Sequence, residues 1–300
     1  MPAHPRLATS SAAGARRGGD GAHARDRATA LKGDTFTTSR GSGLLLRHCP
    51  ERSAEELLRA LARHRAKVRR GPKALEHRGR YSTVSRVRLE DGTEVAVKWN
   101  HTRGLHRAIA EGLRGSRARR AVAGTARVHA IGLAAPRIVA WGERRSFAAV
   151  RESFLVTGFV TDSEPLPAAI SRLRGARAER RDLARRLGEM IGRLHAAGLD
   201  HHDLKHSNLL WCADATLVVL DLEALERCAW LSRRRRVRAL GQLEAYVRHL
   251  YPWLPKTDRL RFLHVYLRHA GFAAAKRRVL VRGVSRWADA RIRDWGQRIR

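Results

Sequence analysis

Cysteine is scarce in this chain. Cys49, Cys212 and Cys228 are an odd number with no C-x-x-C pair, which argues against a disulfide scaffold and against a thiolate zinc site. No uncharged apolar run approaches the roughly 18 residues that a transmembrane helix needs. The first residues read Ala/Gly/Arg-rich, with no apolar signal core before Asp20. A soluble, cytoplasmic protein of a reducing compartment is expected. Acidic residues are also few, 28 against 61 basic ones, and only seven of the basic residues are Lys, leaving 54 Arg and a net charge of +33. Such an excess reflects either a bias towards Arg codons or a polyanionic partner: nucleic acid, nucleotide phosphates or an anionic membrane surface. Charge alone does not choose among these. Hydrophobic residues at 43% and charged residues at 30% are globular values that exclude wholesale disorder. At 300 residues there is room for one large domain or two lobes with a sizeable core.

The pattern along the chain is not uniform. Residues 1–42 are rich in Gly, Ala, Ser, Thr and Arg without a sustained period, as in a disordered basic tail. A helical extension is expected over 43–72: Ser53 with Glu56 forms a capping box, Leu57, Leu58, Leu61 and Val68 come next at helical spacing, and Gly71-Pro72 stops the helix. From Tyr81 the period becomes two. Val84, Val87 and Leu89 lead into Asp91-Gly92, a strong hairpin turn, and Val95, Val97 and Trp99 alternate after it, with Lys98 on the opposite face. One helical pattern runs over 105–131 and strand-like segments cover 137–141, 146–151 and 153–160. Helices are expected at 166–174 and 179–197, short strands at 208–211 and 217–220, and several helices over 233–300, broken at Pro252, Pro255 and Gly271. This is an α+β, two-lobed layout with a small strand-rich lobe over 73–160 and a larger helical lobe over 161–300.

Three segments carry the chemistry. Leu194-His195 and Gly198 precede His201-His202-Asp203-Leu204-Lys205-His206-Ser207-Asn208; an apolar strand, Leu217 to Leu220, closes on Asp221-Leu222-Glu223; and Glu94-Val95-Ala96-Val97-Lys98 lies upstream. In this order and at these spacings they resemble the catalytic loop, the metal-binding aspartate and the phosphate-binding lysine strand of the protein-kinase-like superfamily. The resemblance covers roughly residues 75–230. It implies a two-lobed kinase-like fold using ATP and Mg²⁺, with Asp203 as the base that accepts the acceptor hydroxyl's proton. Lys205 would stabilise the transferred phosphoryl group, Asn208 and Asp221 hold the metal, and Lys98 grip the α- and β-phosphates. Phosphoryl transfer is mostly positioning and charge neutralisation, which is why a cation, two metal-binding groups and a base must come together. Gly79 and Ser82 stand where the phosphate-binding loop would lie, and Gly158 and Val160 in the hinge that would meet adenine.

The departures from that pattern are informative. Of the Gly-rich loop only Gly79 remains. The helix expected to give Lys98 an acidic partner has no acid between Gly112 and Gly142, which leaves Glu111 as the nearest candidate. No A-P-E motif or activation segment comes after Glu223; a basic run, Ser232 to Arg238, begins almost at once. A peptide substrate would have little platform. Together with Ser116 to Arg120 and the Gly132-to-Glu143 segment, this resembles the lipopolysaccharide kinase family, which phosphorylates Kdo or heptose of the inner core. That implies a sugar hydroxyl on an anionic glycolipid as acceptor, and peripheral contact with the inner-membrane surface. Lys205 is the residue favoured by protein serine/threonine kinases at that place, so a protein kinase stays open as an alternative. The weak Gly loop and the missing helix acid keep open a catalytically inactive scaffold.

Other constellations weigh less. His202 and His206 sit four apart, but loop donors are the simpler reading than a metal pair. The run 233–238 has no interleaved aromatics of the kind that stack bases, which argues against nucleic acid; it is expected to be a solvated face or one that touches lipid phosphates. Trp141, Trp211, Trp230, Trp253, Trp287 and Trp295 are expected in the core or at interfaces.

Overall fold

The computed structural model describes residues 36–41, 44–79, 81–272 and 274–298. In chain order the small lobe holds β1 (Thr37–Gly41), β2 (Leu44–His48), α1 (Ala54–Arg70), β3 (His77–Arg78), β4 (Ser82–Arg88), β5 (Glu94–His101), α2 (Leu105–Arg114), α3 (Arg117–Ala130), β6 (Ile138–Ser146) and β7 (Ala149–Gly158). The large lobe holds β8 (Ser163–Pro165), α4 (Leu166–Arg172), α5 (Arg177–Ala196), β9 (Leu199–His201), β10 (Leu209–Cys212), β11 (Leu217–Val219), β12 (Leu225–Arg227), α6 (Arg233–Leu250), α7 (Lys256–His269) and α8 (Ala274–Arg298). The α+β, two-lobed layout read from the sequence is the one found.

The small lobe is one antiparallel sheet of seven strands in the order β1-β2-β6-β7-β5-β4-β3. Its hairpin turns at Asp91-Gly92 with Val87 opposite Val95, as the alternation requires. Val87, Val95, Val97, Phe154 and Val156 are buried on one face, against Leu57 and Leu61 of α1. Ser53 caps α1 by accepting from the Glu56 amide at 3.1 Å, and Gly71 ends it at a positive φ of 103°.

Four expectations are corrected. The tail assigned to 1–42 ends earlier: residues 1–35 lie outside the described residues, but Thr37–Gly41 is a strand. The extension over 43–72 is not only helical, because Leu44–His48 pairs with β6 and buries Leu44, Leu46 and His48 on one side. The single helix over 105–131 is two, parted at Gly115, whose φ of 82° no helix tolerates, and restarted by the Ser116 cap. The three segments over 137–160 are two strands that turn at Phe147-Ala148.

The large lobe packs α4, α5, α6, α7 and the ends of the short strands around Leu166, Leu173, Ile191, Leu194, Leu240 and Tyr266. α5 lies close on α7, where Gly188 and Gly192 leave no room for a Cβ beside the Phe262 and Tyr266 carbonyls.

Two buried histidines tie these cores to pH. His64 faces the Ser85 and Thr83 hydroxyls at 2.7 and 3.1 Å, and burial pulls its pKa down to about 4. His195 lies 3.0 Å from the Tyr266 hydroxyl, and burial, then Arg236, pulls it down to about 3. Both fold neutral and are protonated more easily when unfolded, so their contribution is present above the unfolded pKa and is lost as pH falls. The melting temperature should therefore drop between pH 6.5 and 4, and His64→Gln should flatten that limb of the profile. A pH scan by calorimetry checks this; equal slopes for wild type and variant would contradict it.

Candidate active site

A cleft of about 630 Å³ lies between the lobes, lined by Ser82, Lys98, Gly158, Val160, Lys205, Asn208 and Asp221 among others. Seven of the nine residues singled out from the sequence thus face one space. Asp203 sits behind Lys205 and Asn208, joined to both, and Gly79 flanks the cleft in the β3–β4 turn, donating its amide to the Ser82 carbonyl at 2.8 Å.

The strand alternation explains Lys98. Val97 goes to the core, so Lys98 must point the other way, into the cleft. There its Nζ pairs with Asp221 and, at 2.8 Å, with Glu223 Oε2. Burial alone would push the Lys98 pKa down, but the Glu223 and Asp221 carboxylates outweigh it and the net shift is upward. For Asp221 burial pushes up and Lys98 pulls down more strongly, so the carboxyl is held below its usual value. The three side chains form an ion triad.

Asp221 leaves the strand in the left-handed region, at φ 61° and ψ 40°, a conformation that costs energy outside Gly and persists only where the surroundings fix it. What fixes it is visible. The Leu220 amide donates to the Asn208 carbonyl at 2.9 Å, and the Leu220 carbonyl lies 3.1 Å from buried His201 Nε2. On the far side α3 packs directly on Leu222, because Gly124 has no Cβ to strike the Leu222 carbonyl.

The loop from Asp203 to Asn208 is tied to itself. Asn208 Nδ2 donates to the Asp203 carbonyl at 2.9 Å and to Asp203 Oδ2 at 3.2 Å, while Lys205 Nζ is 2.8 Å from Asp203 Oδ2. With the amide nitrogen so engaged, Asn208 Oδ1 and the Asp221 carboxylate remain as oxygen donors towards the cleft. Hard oxygens of this kind fit a magnesium ion, which takes one or two protein ligands beside phosphate and water. In the hinge the Gly158 and Phe159 amides are taken by the Arg137 and Glu94 carbonyls at 2.9 and 3.0 Å. The Val160 amide has no backbone partner among the described residues.

Sequence reasoning missed Glu223. Glu111 does not reach Lys98; it pairs with Arg117 and, at 3.2 Å, with Arg120, and Arg120 donates in turn to the Glu223 carbonyl at 3.4 Å. The acid absent from the helix is replaced by one two residues beyond Asp221. The signal was there: an Asp-x-Glu pair where no helix acid existed.

The basic run is also corrected. Only Arg233 and Arg234 are exposed. Arg235 and Arg238 reach buried Asp200 at 3.2 and 3.0 Å, and Arg236 donates to the Leu231, His195 and Ala270 carbonyls at 3.2 to 3.3 Å. His202 sits with Asp200 and Glu226, 2.8 Å from the latter, whereas His206 packs against Tyr246 and Tyr251, so the two do not converge on a metal. Trp141 and Trp211 are buried as expected, but Trp230 is 75% exposed.

Comparison with known proteins places the chain in a family. Over 152 residues the chain is 32% identical to the lipopolysaccharide core heptose(I) kinase WaaP of Pseudomonas aeruginosa, a stretch that takes in 47% of this chain and 56% of that one. The chain thus spans little more than half the length of that relative. Among solved structures, WaaP in complex with acyl carrier protein superposes with a TM-score of 0.55 at 24% identity, over 74% of this chain and 90% of that one, a likeness that establishes the kinase-like fold. A family model, the lipopolysaccharide kinase (Kdo/WaaP) family, matches residues 66–266. That span holds every site residue from Gly79 to Asp221, and the chain belongs to this family.

Proposed function

We propose that this protein is an ATP-dependent phosphotransferase acting on a sugar hydroxyl, heptose or Kdo, of the lipopolysaccharide inner core. The observation that carries the reading is the convergence of Lys98, Asp203, Lys205, Asn208 and Asp221 at one interlobe cleft. The nucleotide would lie with its base at the hinge, where the Val160 amide is available, and its phosphates towards Lys98. Asn208 and Asp221 would hold magnesium, which when bound neutralises charge on the phosphates. Asp203 would accept the proton of the acceptor hydroxyl as its oxygen attacks the γ-phosphorus, with ADP leaving in line. Lys205, held against Asp203, is placed to meet the charge on the transferred group.

The acceptor class rests on the short stretch of chain between Asp221 and α6. Only residues 222–232 separate the two, and β12 within them is tied to β9. No segment there is long enough to seat a peptide, which favours a small acceptor on a lipid anchor. Among the described residues no helix is long and apolar enough to cross a membrane, so contact with a glycolipid in the cytoplasmic leaflet would be peripheral. Lys205 keeps a protein acceptor as the second reading, and the two separate in a side-by-side assay of heptosylated core, Kdo–lipid A and generic protein acceptors with labelled ATP.

Asp203→Ala should lower turnover by about 10²–10⁴-fold while leaving nucleotide affinity nearly unchanged, because the base acts on the acceptor. Asp221→Asn should weaken Mg-ATP binding as well. Unchanged turnover in both would overturn the assignment.

Mg-ATP at millimolar concentration should raise the melting temperature, and Lys98→Met should lose most of that rise. Glu223→Gln should retain the fold but raise KM for ATP and lower kcat by about tenfold or more, with partial rescue in Glu223→Asp. A wild type that shows no thermal shift would favour an inactive scaffold, and Glu223→Gln kinetics equal to wild type would remove Glu223 from the site.

A further inference from the structure

α2 is amphipathic in an unusual direction. Ala108 is fully buried, and Gly112 lies against the Ala148 carbonyl in the β6–β7 turn, so that row of the helix faces the sheet. The adjacent row, Leu105, Ile109 and Leu113 at i, i+4 and i+8, faces away and is 57, 39 and 80% exposed. Phe147, next to Ala148 at the tip of the turn, is wholly exposed. Because Gly112 and Ala148 touch, their chain neighbours Leu113 and Phe147 belong to one patch. Exposed apolar side chains scattered singly need no explanation, but four large ones gathered on one end of a lobe do.

The surroundings of the patch are basic. Arg103, Arg107, Arg114 and Arg151 are exposed around it, and none of Arg103, Arg114 and Arg151 forms an ion pair among the described residues. The one acid of α2, Glu111, is turned inward to Arg117 and Arg120. A short helix with an apolar face, basic flanks and no outward acid is the pattern of a segment lying in a membrane interface. A second copy of the chain would set arginines against arginines, whereas an anionic bilayer takes both the apolar row and the cations. The position also fits: Arg107 donates to the Tyr81 hydroxyl at 2.9 Å, and Tyr81 adjoins Ser82 at the edge of the cleft.

We propose that the Leu105–Ile109–Leu113 row and Phe147 insert shallowly into an anionic lipid surface and so dock the small lobe on the membrane. The inference rests on the reading of the acceptor as a membrane-anchored sugar, but its test does not pass through catalysis.

Co-sedimentation with phosphatidylglycerol–phosphatidylcholine vesicles at low salt measures the docking. Wild type should bind these and bind pure phosphatidylcholine weakly. The triple change Leu105→Gln, Ile109→Gln, Leu113→Gln should weaken binding by about tenfold or more without altering the melting temperature or its Mg-ATP shift. Independently, Phe147→Trp should gain emission that moves to the blue on the vesicles and is quenched by brominated lipid, beyond any change in wild type; this arm stands even if the triple variant does not fold. A triple variant that folds and binds as wild type does would overturn the proposal. So would equal binding of wild type to neutral vesicles, a Phe147→Trp emission that ignores the lipid, or a wild-type dimer in analytical ultracentrifugation that the triple change dissolves while vesicles go unbound. Loss of the Mg-ATP shift in a wild type that still binds vesicles would instead count against the phosphotransferase reading alone.

Discussion

The site depends on one half-buried ion group that bridges the lobes. Lys98 comes from the central part of the small-lobe sheet, and Asp221 and Glu223 come from the strand end of the large lobe. Taking an ammonium out of water is costly, and the side chain keeps only 15% of its exposure; a single carboxylate would compensate it poorly, and two do so better. Because the partners sit in different lobes, the same attraction that keeps Lys98 charged also sets how the lobes face each other. The packing of α3 is subordinate to it: Gly124 lets the helix approach Leu222, and Arg120 holds the Glu223 carbonyl from the same helix.

The arginine excess divides into two populations. Some guanidinium groups serve as internal clamps with several donors each, such as Arg236 across three carbonyls and Arg180 between Asp258 and the Leu173 and Arg174 carbonyls. Lys could not make these forked contacts. The remainder lie mostly nearer the surface, many of them in ion pairs such as Arg59 with Glu55 and Glu90, and add to a positive surface field. A net charge counted from the sequence therefore overstates what a partner meets, because part of it is spent on the fold's own carbonyls and on buried Asp200.

The sequence made legible what depends on local period and fixed spacing. The β4–β5 hairpin was readable from Asp91-Gly92 and the alternation around it, and the meeting of the 203–208 loop with Asp221 at one cleft from their motif spacing. Lys98 was readable because the strand period sets its side. The turn at Phe147-Ala148 escaped notice because it contains no Gly, Asn or Asp, and the break at Gly115 because the apolar period continues through it. β1 is polar along most of its length, so only its pairing with β2 reveals it. Glu223 was missed for another reason: its partner Lys98 is 125 residues away, and the Asp-x-Glu pair hints at an acid near Asp221 without recording which cation folding brings to it.

The brevity of residues 222–232 has a consequence for control. Kinases with a long activation segment are held off until that segment is modified, since its disorder keeps the lysine and the metal aspartate apart. Here β12 is stitched to β9, and the Lys98 triad is complete in the unmodified fold. On the phosphotransferase reading, no covalent on-switch would be needed at that place in the chain. On the same reading, an enzyme built this way would be competent from the moment it folds, and its output in the cell would track how much of it is made and how often its acceptor comes within reach.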